Sequence, residues 1–333
     1  MGRGKKLYGK VFEADKTEIL MKSDSGMTVQ FQNETGEGTL TMYEVFPGVI
    51  LSYNDFHMAY YDSKYQPDRS LFCIDHCREG RLEYTAAEDA YAYVAAGDLK
   101  LDKRLTHTGR FEMPLSHYHG AMISMDMEKA PDSIRREMRD FPVDLRALEK
   151  KFCKDKYPFV LHAQPAVEHI FGELYAVPEK IRMPYYKIKI LELLLYLDAL
   201  ELPENIAEQP YFYKTQVEKV KAIHDFLADH MEQSYTQETL SQQFDISLTA
   251  MKQCFKTVYG MPPGAWLLEY RMNRAAVYLK TETKKSVAEI AGMVGYDSPS
   301  KFAMAFRRVM GLSPLEYRKQ RKIISCPDGT KKT

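Results

Sequence analysis

Two groups of side chains have the types and spacing to do chemistry on a common partner. Thr249, Lys252 and Gln253 sit three and four residues apart, and Ser300, Lys301 and Met304 form a similar set later in the chain. On a helix each set shares one face. Hydroxyl, amide and ammonium groups on such a face are the donors and acceptors that can reach base edges in a DNA major groove. Met304 cannot hydrogen-bond in that way and would instead make apolar contact, for example with a thymine methyl. Lys256, Arg271, Arg274, Lys280, Lys284, Lys285, Arg307 and Arg308 are nearby cations. They could meet phosphates, which adds affinity but little sequence information. Taken singly, each cation reads more readily as a solvated surface charge.

The other candidates are weaker. In "SHYHGAMISMDME", His117 and His119 would point to one face of a strand, about 6.6 Å apart, as metal ligands can. The carboxylate expected a few residues on is replaced by Ile123 and Ser124, with Asp126 and Glu128 as distant substitutes. Hydrogen-bonded histidines fit better. Cys73 and Cys77 in "CIDHC" would lie about 13 Å apart on an extended strand, too far for one ion. His57, His107, His162 and His169 are isolated and receive no role. With no Gly-rich phosphate loop, nucleophile elbow or paired acids, the expectation is no catalytic residue, no metal and no cofactor. A cupin-like metal-dependent enzyme fused to a DNA-binding module is the alternative, followed by a helical protein-interaction scaffold.

The elements that must position these faces are repeated. Leu240-Ser241 matches Ile290-Ala291, Phe255-Lys256 matches Phe306-Arg307, Gly260 matches Gly311 and Pro263 matches Pro314. Each copy reads as short helix, turn, second helix and terminal glycine, the plan of a helix-turn-helix. Ser286 with Glu289 predicts a capping box, and Ser298 caps the next helix with Pro299 at its first position. Gly295 supplies a positive φ in the turn, Gly311 ends the helix, and "SPLE" caps another. Leu248, Met251, Phe255 and Val258 form one inner stripe; Phe302, Ala305, Phe306 and Val309 form the other. The intervening "PPGAWLLEYRMNRAAVYLK" runs about 17 residues, roughly 26 Å of helix. A spacer of that order can set two reading helices in successive major grooves, which repeat about every 34 Å.

Charge is distributed unevenly. The 46 basic and 46 acidic residues cancel overall. Residues 214–322, however, carry 17 Lys and Arg against 11 Asp and Glu, whereas residues 1–213 carry 27 against 34. A basic final third on an acidic remainder suits nucleic acid at one end. The five scattered cysteines and the absence of an apolar leader predict a soluble protein of the reducing cytoplasm, with no membrane partner.

The predicted fold class is α+β. Residues 1–130 read as a β-rich sandwich or barrel that senses an effector, and 131–205 as a helical dimerisation or packing segment. Residues 206–214 form a linker, 215–322 an all-α tandem helix-turn-helix, homeodomain-like, and 323–333 a tail. In "YYKIKILELLLYLDAL" apolar residues fall on nearly every face. Packing within its own domain is the default; a subunit interface through Ile188, Leu191, Leu194 and Leu195 is the sharper alternative.

The tandem units, "LLEYRMNRAAVYL" and "IAGMVGYDSPSKFAMAFRRVMGLSPLEYR" resemble the DNA-binding domain of the AraC/XylS family of transcription regulators over about Thr215 to Arg321. The stretch from "QPAVEHIFGELYAV" to "LDALEL", with "RLEY" after "IDHCREG", resembles the PchR-like branch, some members of which are linked to siderophores and iron supply. No residues here fix such a ligand. The resemblance implies base contacts by Thr249, Lys252, Gln253, Ser300, Lys301 and Met304. It also implies an activator that works as a homodimer, with double-stranded DNA, RNA polymerase and an unidentified small-molecule effector as partners.

Overall fold

The computed structural model describes residues 17–22, 26–65, 70–104, 107–154, 157–202 and 211–320. The expected tail, Cys326, the first part of the linker and the start of the chain lie outside the described residues. The chain divides into two compact units, Met1–Lys214 and Thr215–Thr333.

The first unit is built on antiparallel strands, as the alternation of apolar and polar residues requires. They are β1 (Thr17–Lys22), β2 (Gly26–Asn33), β3 (Gly36–Phe46), β4 (Val49–His57), β5 (Tyr60–Tyr65), β6 (Leu71–Ala87), β7 (Ala90–Ala95), β8 (Leu99–Arg104), β9 (His107–Glu112) and β10 (Tyr118–Asp126). The main sheet runs β1-β2-β3-β4-β10-β6-β7, with β8 also on β6, while β5 and β9 pair separately. Register places Leu51 opposite Ile123, and Ile123 opposite Ile74, so one face of the central strands is mainly apolar, with His76 set among these residues.

Helices cover that face: α1 (Ala130–Glu137), α2 (Leu145–Phe152), α3 (Pro165–Tyr175) and α4 (Arg182–Ala199). Leu148, Phe152, Ile170, Phe171, Ile190, Leu193 and Leu197 complete a single core with Val49, Leu51, Phe72, Ile74 and Leu101. Each such side chain contributes about 1.5–3 kcal/mol on burial. Leu194 belongs to this core and is 0% exposed. The expectation that it faces a second subunit is therefore corrected: at its position on α4 it points at the sheet. Leu191 is partly buried against the same core, whereas Ile188 and Leu195 are exposed.

The segment 131–205 is not purely helical. Phe159–Leu161 forms β11, which pairs with β8. The end of the predicted linker is also ordered, as Phe212–Tyr213 forms β12 against Tyr91 and Ala90. The opposite sheet face carries a buried ionic group. Lys100 Nζ lies 2.9 Å from both Asp75 and Asp102, and Arg104 Nη2 lies 2.9 Å from Asp75. Mutual pairing offsets what desolvation of four charges would cost.

The second unit is helical: α5 (Lys214–Asp229), α6 (Gln237–Gln243), α7 (Leu248–Tyr259), α8 (Pro263–Thr281), α9 (Val287–Met293), α10 (Pro299–Met310) and α11 (Pro314–Lys319). Among the described residues no helix is long and apolar enough to cross a membrane.

Candidate nucleic-acid interface

The repeat read from sequence is a repeat of structure. Helices α6 and α7 form one unit, α9 and α10 the other, and the same backbone bond closes each turn. Ile246 N–H donates to Ser241 O at 3.1 Å, and Tyr296 N–H donates to Ala291 O at 2.9 Å. Ser247 and Ser298 cap the second helices, each accepting from the backbone N–H three residues on. Gly260 and Gly311 end them in the left-handed conformation, at φ 84° and 76°. Capping boxes are present at Ser286/Glu289 and Ser313/Glu316.

Gly295 has φ 80°, as the turn requires, and a Cβ there would lie 2.4 Å from the Glu232 carbonyl oxygen. The matching position in the first unit is Asp245, also left-handed at φ 49°. Asp tolerates that region better than most residues, and Lys219 Nζ holds its carboxylate at 3.0 Å. Sequence reasoning missed this equivalence because aspartate does not advertise a positive φ as glycine does.

These turns set the faces. Met251, Phe255 and Val258 are fully buried on α7, and Phe302 and Phe306 on α10, with Leu248, Ala305 and Val309 half-buried. Outward stand Thr249, Lys252, Gln253 and Lys256 on α7, and Ser300, Lys301, Met304, Arg307 and Arg308 on α10, all exposed. Met304 is 74% exposed, which is high for an apolar side chain. Lys284, between α8 and α9, is also exposed.

Between the units, α8 is 19 residues long, about 28 Å at the helical rise. It packs on both: Trp266 meets the Phe255 ring at 6.3 Å, while Met272, Ala275, Ala276 and Leu279 share a core with Phe302 and Phe306.

Two of the expected phosphate contacts are engaged inside the protein. Arg271 donates through Nε to Met231 O at 2.6 Å and through Nη2 to Gln233 O at 2.7 Å, clamping the connection between α5 and α6. Burial holds its guanidinium below the ordinary arginine value. Arg274 donates to the Tyr278 hydroxyl at 3.1 Å and is half-buried. Lys280 likewise binds the Tyr317 carbonyl at 2.6 Å, at the end of α11. Arg271 and Lys280 tie α8 to neighbouring segments, whereas Arg274 and Tyr278 both lie on α8. Lys256, Lys284, Arg307 and Arg308 remain facing solvent.

Residues 240–320 match the family model described as "Helix-turn-helix domain". This part of the chain is a helix-turn-helix domain. The similar proteins carry names of regulators. The virulence regulon transcriptional activator VirF of Yersinia enterocolitica is 32% identical over 96 residues, 29% of this chain and 35% of its own. The HTH-type transcriptional regulator ExsA of Pseudomonas aeruginosa is 31% identical over 99 residues, 30% of this chain and 35% of its own. The HTH-type transcriptional regulator AlkR of Acinetobacter baylyi is 27% identical over 179 residues, 48% of this chain and 58% of its own. The match thus spans about a third of the length of the first two relatives. Among solved structures, the DNA-binding domain of AdpA in complex with a target DNA is 30% identical, covering 30% of this chain and 89% of that one, at a TM-score of 0.29.

The first unit carries the cysteines and histidines singled out above. Cys73 and Cys77 both lie on β6 and are buried, and burial pushes their thiols up to about 12. They are protonated and unsuited as ligands or nucleophiles at neutral pH. His117 immediately precedes β10, and its ring lies 6.0 Å from that of His119, near the separation expected on a strand. Asp126 accepts the Glu128 N–H at 3.0 Å in a turn. His162 sits 3.1 Å from Asp98, His169 lies 3.7 Å from Glu173, and the His107 side chain is outside the described residues.

Proposed function

We propose that this protein is a sequence-specific DNA-binding transcription regulator of AraC type, acting as an activator that answers to a small-molecule effector. The observation that carries the reading is the twin exposed faces of α7 and α10, which bring polar and cationic side chains together near their N-terminal ends, with Met304 the exposed apolar member of the set. Thr249, Lys252, Gln253, Ser300, Lys301 and Met304 read bases; Lys256, Lys284, Arg307 and Arg308 meet phosphates. Arg271 leaves the phosphate set because two backbone carbonyls engage it, whereas Arg274, which donates to Tyr278 on its own helix, stays in it. The Met1–Lys214 unit holds the effector site, and RNA polymerase is the partner in activation. The PchR-like branch remains part of the proposal, on the sequence likeness stated above.

Homodimerisation fits α4 with a revised residue set. Ile188 and Leu195 stand seven residues apart on α4 and are 60% and 41% exposed, and Ile181, 43% exposed, immediately precedes the helix. That spacing makes a seam for a second copy, with Leu191 at its edge and Leu194 excluded.

The test is binding to an operator recovered by genomic footprinting, compared with random duplex. Lys252→Ala and Lys301→Ala each weaken operator binding by about 1–3 kcal/mol and relax preference at one base position. Arg308→Ala weakens both duplexes alike and lowers the salt slope by about one phosphate contact. Wild-type affinity in both Lys variants would overturn the assignment of α7 and α10. An effector that leaves operator affinity unchanged would overturn the switching part, because a ligand shifts only an equilibrium whose states it binds differently.

A further inference from the structure

We propose that the first unit binds a divalent first-row transition metal ion through Asp55, His57 and His119. The sheet builds this group. Asp55 and His57 are two apart on β4 and therefore share a face, and His119 on β10 stands directly opposite Asp55 in the antiparallel register. Both imidazoles turn the same atom to the same oxygen. His57 Nε2 and His119 Nε2 each lie 3.0 Å from Asp55 Oδ1, and the three donor atoms all fall within 4.8 Å of one another.

Those separations match a shared ion. Two donors about 2.1 Å from one metal lie about 3.0 Å apart at a right angle, and about 4.2 Å apart at most. Any excess between the two imidazoles closes by rotation of His57, whose side chain is 61% exposed. Two histidines and one carboxylate on one side, with the remaining positions left to water, suit zinc, cobalt, nickel or ferrous iron.

Hydrogen bonding alone explains the arrangement poorly. Asp55 and His57 are more than half exposed, and solvent-facing pairs of this kind are worth about 1 kcal/mol or less. The setting also favours a cation: Glu37 lies opposite His57 on β3, and Glu79 opposite His119 on β6. His117 is close by, its ring 6.0 Å from that of His119. Because β4 and β10 are central strands of the main sheet, the donors stand on a rigid support before any ion arrives.

The site needs no nucleic acid for its test. The full chain, free of any affinity tag and stripped with chelator, is titrated with Zn²⁺ by calorimetry and with Co²⁺ by visible absorption. The expected result is saturable uptake of one ion per chain, weakened about tenfold or more by Asp55→Ala and by His119→Ala. His169→Ala, an exposed histidine elsewhere on the unit, leaves it unchanged. Tyrosine circular dichroism of the metal-free variants should match the wild type, since Asp55 is exposed and His119 is partly exposed. No saturable uptake, or uptake that survives the Asp55 and His119 substitutions, overturns the proposal.

Discussion

Gly295 and Gly311 have nearly the same backbone conformation, φ 80° and 76°, but different surroundings. A Cβ on Gly311 meets nothing within 4 Å, whereas on Gly295 it meets the Glu232 carbonyl oxygen at 2.4 Å and Arg271 Nη2 at 2.9 Å. Gly311→Ala therefore carries only the left-handed cost of about 1–2 kcal/mol. Restriction of the unfolded chain returns roughly 0.4–1 kcal/mol of it, leaving about 0.5–1 kcal/mol. Gly295→Ala adds displacement of a backbone carbonyl, about 1–3 kcal/mol by analogy with overpacking. It also strains the clamp in which Arg271 holds two carbonyls, each bond worth about 1.5–3 kcal/mol, so a total near 3–4 kcal/mol is expected. Trp266 is the sole tryptophan of the chain and lies in α8, so its fluorescence reports the second unit alone. With a urea slope of about 2 kcal/mol per molar, the middle of the usual range, Gly295→Ala should lower the midpoint by about 1.5–2 M and Gly311→Ala by about 0.25–0.5 M. Equal shifts, or a larger shift for Gly311→Ala, would refute the idea that the Arg271-clamped connection fixes the second turn.

Three further outcomes are expected. Leu194→Glu places a charge in the core of the first unit and costs about 4 kcal/mol or more, while Ile188→Glu leaves tyrosine circular dichroism unchanged and lowers the mass measured by light scattering. Lys100→Met leaves Asp75 and Asp102 short of a cation and destabilises the first unit by about 3–5 kcal/mol, read from its thermal midpoint by the same tyrosine signal. His76 is stacked on Phe171 at 4.2 Å, and burial lowers its imidazole below the ordinary value against the opposing pull of Glu168. Above about pH 6.5 the ring is neutral folded and unfolded; below it the unfolded chain takes up a proton that the folded chain resists. Amide protection factors in α3 should therefore fall as pH drops below about 6.5, less steeply in His76→Leu.

What sequence revealed and what it hid divide by range of interaction. Caps at Ser286, Ser298 and Ser313 were legible because their partners lie three residues away, and so were the apolar stripes of α7 and α10. Arg271 was not: an arginine in a helix reads the same whether it faces solvent or clamps carbonyls forty residues earlier in the chain. Leu194 and Ile188 looked alike in a helix apolar all round, and only packing against the sheet separates core from surface. Strand β11 is too short for periodicity, and it forms because β8 offers an edge. The Asp55, His57 and His119 group depends on the β4–β10 register, which no local pattern records.

Helix α8 works as a fixed gauge. A coil between the two turn-linked helix pairs would stretch to suit its target, but a rod buried at both ends cannot. If a duplex is the target, inserting about five base pairs between its two recognition elements carries one of them to the far side of the double helix. Adding a whole turn restores the side yet opens a gap of roughly 34 Å more, beyond the protein's reach without unfolding one pair. Permissible operators are thus limited by mechanical phase as much as by base identity.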